Sequence, residues 1–280
     1  MRHDAQVEAL AQVEVEALAQ VEAPAQVEAP AQVEALAQAE ALGQAEIPVQ
    51  VLVLVKEPVA GRVKTRLCPP LSAEGAAAVA EAALLDTLDV VRAVSVRRRV
   101  LVLDGSYAAP GFTVQPQVQG PMDVRLAAAF DSADPTLPTL LIGMDTPQLT
   151  VDLLRGAVAS LLGHRAVIGL AVDGGWWALG LQIPDGSLLK GIATSRDDTG
   201  ARQVERLERA GLDPYALPEL RDVDTIADAR AAALLAPAGR FGRALAAELA
   251  SELASELTAE LHPAEDEQIL ADQVVGGPAA

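Results

Sequence analysis

The sequence has little of several residue types, and each shortage narrows the chemistry open to the chain. Among 280 residues Cys68 is the one cysteine, which excludes an intramolecular disulfide and a multi-cysteine metal site. Two of the three histidines lie near the chain ends, so Ser/His or Cys/His catalysis would depend on His164 alone. His164, in LLGHRA, lies where a helix is predicted to end, and a capping role is expected there. No apolar run is long enough to span a membrane, and the Glu-rich start differs from a secretory or transit peptide. We therefore expect a cytoplasmic protein.

Negative charge is concentrated at the two ends of the chain. Of the formal net charge of −18, residues 1–46 contribute about −8 and residues 241–280 about −7. This acidity favours solubility and argues against nucleic-acid binding by the tails. The charge of the ends therefore says little about a site in the middle of the chain.

Both ends are repetitive, but their periods differ. Residues 1–46 repeat AQVEAL or AQVEAP, and a period of six moves leucine and glutamate over all faces of a helix, which Pro24 and Pro30 also interrupt. Without the glycines of a hexapeptide β-helix, this composition predicts a disordered or partly helical low-complexity tail. Residues 241–280 instead carry a four-residue repeat, which predicts an acidic helix followed by a disordered end. That helix either docks through its leucines or projects into solvent.

Residues 47–240 alternate strand and helix signals, which predicts one α/β domain with a mainly parallel sheet. The predicted elements are, in order, a buried strand at 51–55, a helix from the Ser72 cap to about Val94, strands at 99–103 and 112–115, a helix near 124–132 and a buried strand in TLLIGMD. A turn with Asp145, Pro147 and Thr150 then leads into a helix near 151–162, followed by two strands joined by Asp173-Gly174-Gly175, a helix near 198–210 and a last core helix capped by Thr225. Arg97, Arg98 and Arg99 are predicted to be solvated residues ahead of a strand.

The stretch from Val49 to Leu67 changes abruptly from apolar to basic. The buried strand is followed by a loop with Pro58 and Gly61, and four cations gather in this region: Lys56, Arg62, Lys64 and Arg66. Open α/β sheets bind ligands at this end of their strands, and several cations together predict a phosphate-bearing ligand. A phosphate loop of the ATPase type is excluded because Val63 stands where a glycine must precede the lysine. Motifs of the G-x-G-x-x-G, G-x-S-x-G and H-E-x-x-H types are also absent.

Four carboxylates are placed at strand ends, after LLIGM, before Gly174-Gly175 and in DVDT. They are Asp145, Asp173, Asp222 and Asp224. Taken singly, Asp145 could bond turn amides and Asp224 could support the Thr225 cap. Taken together, carboxylates at the same sheet edge as the cations predict a divalent cation, and Mg²⁺ commonly takes one or two carboxylates plus substrate phosphates. The predicted metal ligands are Asp145 and Asp224, with Mg²⁺ or Mn²⁺ as the ion.

Trp176 and Trp177 stand side by side in a sequence with 2% aromatic residues. Because neighbouring strand residues point to opposite faces, one is expected in the core. The other, nearest the Asp173-Gly174-Gly175 turn, either packs as well or stacks on a ring of the ligand.

The motifs KEPVAGRVKTRL, GMDTPQL, DGGWWALGL and DVDT, in this order, resemble the bacterial radical-SAM/selenodomain-associated transferase 1 family over about residues 50–230. That family is similar to the nucleotide-diphospho-sugar transferase superfamily, including cofactor-biosynthesis guanylyltransferases. The resemblance implies a single Rossmann-like, three-layer domain of the GT-A type flanked by low-complexity tails. The chain departs from the family at Trp176 and Trp177, usually tyrosines, at Ala193, commonly tryptophan, and in a shorter GPMDVRL segment that leaves Asp123 and Arg125 without an assigned role.

Carried over by position, the resemblance implies that Lys64 and Arg66 hold nucleotide phosphates and that Asp145 and Asp224 hold the metal. We expect Lys64, Arg66 and Asp145 to be catalytic. The expected nucleotide site comprises Lys56, Pro58, Gly61, Lys64, Thr65, Arg66, Asp173, Gly174 and Gly175.

Three functions are consistent with this site. The first is Mg²⁺-dependent nucleotidyl transfer from a nucleoside triphosphate to a small acceptor, which the four loop cations favour because departing pyrophosphate needs much charge neutralisation. The second is glycosyl transfer from a nucleotide-sugar by a GT-A-type enzyme. The third is nucleotide binding by a catalytically degenerate protein whose tails recruit partners.

Overall fold

The computed structural model describes residues 46–261. The predicted repeat tail up to residue 45 and the predicted disordered end beyond residue 261 lie outside the described residues. No helix between residues 46 and 261 has the length and apolar character needed to cross a bilayer.

A seven-stranded, mainly parallel sheet forms the centre of the molecule, as predicted. The strands are β1 Ile47–Lys56, β2 Val96–Asp104, β3 Thr113–Pro116, β4 Thr139–Gly143, β5 Ala166–Ala171, β6 Trp176–Leu181 and β7 Tyr215–Leu220. Their spatial order is β3-β2-β1-β4-β6-β5-β7. Only β6 runs antiparallel to its neighbours, because the tight turn after β5 returns the chain directly alongside it.

The α-helices are α1 Ala73–Arg92, α2 Met122–Asp131, α3 Val151–Gly163, α4 Thr199–Arg209, α5 Ile226–Leu235 and α6 Arg240–Leu261. The predicted caps Ser72 and Thr225 are confirmed, and the structure adds a third cap, Thr150. The Ser72 and Thr150 hydroxyls accept hydrogen bonds from the third backbone N–H of their helices, and Thr225 forms a reciprocal capping box with Asp228. The predicted helix end at His164 is also confirmed.

The helices cover both faces of the sheet, which gives three layers. On β1, Val51, Val53 and Val55 face a core shared with α1 and α3, whereas Leu52 faces a second core shared with α2 and α4. Because successive strand residues point to opposite faces, a strand buried on both sides reads as a continuous apolar run.

Strand β7 was missed at the sequence level. Its segment YALPEL contains Pro218, and proline argues against a central strand. β7 pairs only with β5 at the edge of the sheet, where a missing backbone N–H is tolerated.

The prediction for the three arginines was wrong in part. They lie inside β2, and Arg99 is half-buried with its guanidinium donating to the carbonyl oxygens of Val91, Arg92 and Val94 at the end of α1. A cation at a helix C-terminus satisfies its unpaired carbonyls, so Arg99 is a helix cap.

Helix α6 docks on the domain. Phe241 and Leu245 are buried against residues of α1, and the Glu252 carboxylate accepts the Ser72 backbone N–H at 3.0 Å. Anionic side chains near the start of a helix are stabilising. The packed unit therefore continues past residue 240, where the sequence-based domain boundary was placed.

Candidate active site

Two adjoining cavities open at the carboxyl ends of β1 and β4. The first has a volume of about 290 Å³ and the second about 510 Å³. The residues that line both are Leu54, Arg66, Met122, Asp145 and Asp224. A shared wall of this kind would place two bound groups next to each other, at the sheet edge where α/β proteins bind ligands.

The first cavity is basic. Its cationic lining residues are Lys56, Arg62, Lys64, Arg66 and Arg125. Lys56 Nζ donates to the Arg62 carbonyl oxygen at 2.7 Å, which braces the loop after β1. Arg66 donates to Asp224 Oδ2 at 3.0 Å, but its side chain remains 71% exposed, so the rest of its guanidinium is accessible to a ligand. We call this space the basic cavity.

Lys64 lines the basic cavity and contacts two residues of the wall that the cavities share. Its Nζ is 3.0 Å from Asp145 Oδ1 and 3.7 Å from Asp224 Oδ1, and it also donates to the Val223 carbonyl. The side chain is 9% exposed. Burial by itself would lower the lysine pKa, but the charge of Asp145 and its hydrogen bond outweigh burial and raise it. Lys64 is therefore a buried, charged ammonium held by two carboxylates.

The Lys64 backbone is left-handed, with φ of 46°. Within residues 46–261 the one other non-glycine residue with positive φ is Ser195, at 59°, which lines the second cavity. Such conformations cost free energy and cluster at functional sites. The two strained residues thus lie on the two sides of this candidate site.

The second cavity is acidic, and we refer to it as the acidic cavity. Its aspartates are Asp145, Asp173, Asp197, Asp222, Asp224 and Asp228, and its cations are Arg66 and Arg196. Burial, together with the negative charges of Asp145 and Asp173, raises the pKa of the Asp222 carboxyl to about 8. Aspartates therefore outnumber cations in the acidic cavity, and Arg66 and Arg196 are the groups in its lining that can bind an anion.

The structure brings most predicted site residues together. Lys56, Lys64, Thr65 and Arg66 line the basic cavity, Asp173 and Gly175 line the acidic cavity, and Asp145 and Asp224 line both. Pro58, Gly61 and Gly174 line neither cavity.

Gly174 has a structural reason to be glycine. Its φ is +87°, and a Cβ there would overlap the backbone carbonyl of Asp197. The Gly174 carbonyl also accepts the Gly200 N–H at 2.8 Å. The turn after β5 therefore supports the loop that begins α4, and that loop lines the acidic cavity.

The two tryptophans have separate places. Trp177 is 2% exposed and donates its indole N–H to the Pro218 carbonyl at 2.9 Å, so the expected core tryptophan is confirmed. Trp176 is half-buried and lines the acidic cavity.

Two residues of the basic cavity were not assigned from the sequence. Arg125 pairs with Asp104 at 2.8 Å, and Gln117 donates to the carbonyls of Val55 and Val102. Only their position in the chain could have indicated them, because both follow the carboxyl end of β3, and the cations also lie at the carboxyl ends of strands. Asp123, the other residue without a role, accepts the Gly191 N–H at 2.8 Å.

Asp145 and Asp224 are the carboxylates predicted to bind a divalent ion. Within the described part of the chain, no three His, Cys, Asp or Glu side chains form a group that could hold a metal. Asp145 and Asp224 are nevertheless 42% and 45% exposed and lie on the wall shared with the basic cavity. Two accessible carboxylates beside a phosphate-sized basic cavity fit an ion that completes its coordination with substrate phosphates.

Comparisons with known proteins agree with this fold. The model of the family described as "Uncharacterized protein conserved in bacteria (DUF2064)" matches residues 78–196. A crystal structure from Desulfovibrio desulfuricans G20, assigned provisionally as a nucleotide-diphospho-sugar transferase, is similar at 26% identity and a TM-score of 0.59, over 65% of this chain and 84% of that chain. No curated protein matches the sequence.

Two weaker similarities were also found. Rv0371c from Mycobacterium tuberculosis H37Rv has 21% identity and a TM-score of 0.46, over 69% of this chain and 100% of its own. The 2-C-methyl-D-erythritol 4-phosphate cytidylyltransferase of Thermus thermophilus has 15% identity and a TM-score of 0.42, over 68% and 98% of the two chains. The more specific transferase family named from the motifs stays a prediction.

Proposed function

We propose that the protein is a divalent-metal-dependent transferase that moves a nucleotidyl group from a nucleoside triphosphate to a small phosphorylated or hydroxyl acceptor. The observation that carries this proposal is the basic cavity. Five cationic side chains line it, and it shares a wall of two carboxylates with a second cavity. A polyphosphate chain needs many donors at once, and a neighbouring cavity provides room for an acceptor.

Similarity to the Desulfovibrio protein supports the broader class. That protein is described as a nucleotide-diphospho-sugar transferase, and its sequence is 26% identical to this chain. Fold alone does not define a reaction, so the choice of nucleotidyl transfer depends on the cations.

In the proposed reaction, an acceptor oxygen in the acidic cavity forms a bond to the α-phosphorus of the nucleotide. The bond from that phosphorus to the bridging oxygen breaks, pyrophosphate leaves with the electron pair, and the acceptor proton passes to solvent. Lys64 and Arg66, which line the basic cavity, stabilise the negative charge that develops. Asp145 and Asp224 are the residues that would hold Mg²⁺ or Mn²⁺, which supplies charge neutralisation at the phosphates when bound.

Glycosyl transfer from a nucleotide-sugar is the second candidate. The name of the Desulfovibrio protein and the larger volume of the acidic cavity, about 510 Å³, favour it. We rank glycosyl transfer second because the basic cavity carries many cations, and a departing nucleoside diphosphate needs less charge neutralisation than pyrophosphate.

The test is thermal stabilisation of the full-length protein by nucleoside triphosphates and by nucleotide-sugars, each with Mg²⁺ and with EDTA. We expect stabilisation by at least one triphosphate, and its Mg²⁺-dependent part should disappear in Asp145→Asn. Asp213→Asn, at an exposed position, is the matched control. Stabilisation by nucleotide-sugars alone would replace nucleotidyl transfer with glycosyl transfer. Binding of a nucleotide without turnover of any acceptor would indicate the degenerate protein, and no binding at all would refute a nucleotide site.

A further inference from the structure

Lys64 occupies the place where a divalent cation was predicted. Its ammonium group contacts Asp145 at 3.0 Å and lies 3.7 Å from Asp224, which the Arg66 guanidinium also contacts at 3.0 Å. Lys64 is therefore the cation that both proposed metal ligands share. A third partner, the Val223 carbonyl, accepts a hydrogen bond from the same ammonium, and the Lys64 backbone is held in a left-handed conformation. Two carboxylates that share a buried ammonium are less available to another cation, because like charges repel at short range.

The same lysine has a second possible partner. Lys64 lines the basic cavity together with Arg62, Thr65 and Arg66. A phosphate group bound there would offer the ammonium an anion that does not require the two aspartates. Movement of Lys64 onto phosphate would then leave Asp145 and Asp224 to a divalent ion.

We propose that Lys64 is the resident counter-ion of Asp145 and Asp224 in the nucleotide-free protein, and that it keeps divalent metal out until phosphate in the basic cavity draws it away. This inference rests on the proposed function, because it takes the two aspartates as metal ligands. Metal and nucleotide then bind cooperatively, since each favours the position of Lys64 that the other needs. By linkage, the factor by which phosphate tightens metal binding equals the factor by which metal tightens phosphate binding, commonly about 5- to 150-fold.

Lys56 provides a matched control for the charge of Lys64. It lines the same cavity, but its ammonium donates to the Arg62 carbonyl. Lys56→Met and Lys64→Met each remove one positive charge from the basic cavity, but only the second removes the ammonium shared by Asp145 and Asp224, and both leave the Arg66–Asp224 pair in place.

The experiment is titration of the full-length protein with Mn²⁺ alone, followed by electron paramagnetic resonance. We expect Lys64→Met to bind Mn²⁺ at least about tenfold more tightly than the unmodified protein, and Lys56→Met to bind like the unmodified protein. Adding Asp224→Asn to Lys64→Met should abolish the gain. Inorganic tripolyphosphate should strengthen Mn²⁺ binding in the unmodified protein beyond the Mn²⁺-tripolyphosphate complex measured without protein.

Three results would overturn the inference. They are equal Mn²⁺ affinity in the unmodified protein and Lys64→Met, an equal gain in Lys56→Met, and no Mn²⁺ binding to any variant. Since the Mn²⁺ titration uses no nucleotide, it can fail while nucleotide binding succeeds, and the reverse also holds. Lys64→Gln, which keeps a donor for the Val223 carbonyl, replaces Lys64→Met if circular dichroism shows that the methionine variant does not fold.

Discussion

Arg125 at the start of α2 and Asp104 at the end of β2 form an ion pair at 2.8 Å, with their side chains 18% and 26% exposed. The pair joins two elements that are far apart in the sequence and holds a guanidinium at the lining of the basic cavity. Because Asp104 engages one amino group of Arg125, the arginine is oriented by the protein before any ligand binds. Such preorganisation lowers the entropy that a ligand contact must overcome.

Arg125→Gln is expected to weaken triphosphate binding by about tenfold, the equivalent of one hydrogen bond to a charged group. Asp104→Asn should weaken it less, because the guanidinium remains but loses its orientation. Isothermal titration calorimetry would measure both. Arg92→Gln is the control, since Arg92 forms a comparable pair with Asp89 away from the cavities. Equal affinities in all four proteins would show that Arg125 does not contact the ligand.

Trp176 and Trp177 are expected to respond differently to truncation. Trp177→Ala should lower the free energy of unfolding by about 3–5 kcal/mol, because it removes a fully buried indole and its hydrogen bond to Pro218. Trp176→Ala should cost about 1 kcal/mol, since that side chain is half-buried. Urea denaturation followed by far-UV circular dichroism separates the two. Similar losses in both variants would contradict the assignment of Trp177 alone to the core.

Gly174 and Gly191 allow backbone strain to be separated from steric overlap. Their φ angles are +87° and +83°, but a Cβ would overlap the Asp197 carbonyl at Gly174 and meets nothing within 4 Å at Gly191. Gly191→Ala should therefore cost about 1–2 kcal/mol of stability from strain alone. Gly174→Ala should cost about 2 kcal/mol more, because the loop beside the acidic cavity must move. Thermal unfolding would measure the difference. Equal stability losses in Gly174→Ala and Gly191→Ala would mean that the loop at Asp197 moves without an energetic cost.

The pH dependence of stability is expected to reflect Asp222. Its carboxyl has a pKa of about 8 in the folded protein, against 3.8 ordinarily, so the folded state retains a proton that the unfolded chain releases. Asp222 therefore makes stability fall as pH rises from about 4 to about 8. Asp222→Asn should gain stability relative to the unmodified protein over this range. Unfolding free energies at pH 5, 6.5 and 8 in EDTA would show the trend, with Asp213→Asn as control. If the stability difference between Asp222→Asn and the unmodified protein does not grow with pH, the prediction is contradicted.

Elements with strong local signals were predicted well. The buried valine-leucine run became β1, and Ser72, Thr150 and Thr225 start their helices because a hydroxyl at that position bonds an unpaired N–H within the next turn. Strand β7 and the capping role of Arg99 were missed. The strand depends on β5, a partner distant in sequence, whereas the role of Arg99 depends on how the chain turns between α1 and β2, which brings the guanidinium back to the end of α1.

The sequence by itself determined the alternation of strands and helices, the basic loop after β1 and the presence of carboxylates after other strands. These follow from periodicity, capping and charge, which act over a few residues. Tertiary structure decided that Lys64 lies between Asp145 and Asp224, that Arg125 joins the basic cavity, and that Gly174 supports a loop. Those relationships depend on distances between strand ends, and only the pairing order of the sheet brings residues from β1, β4 and the segment before α5 to one edge.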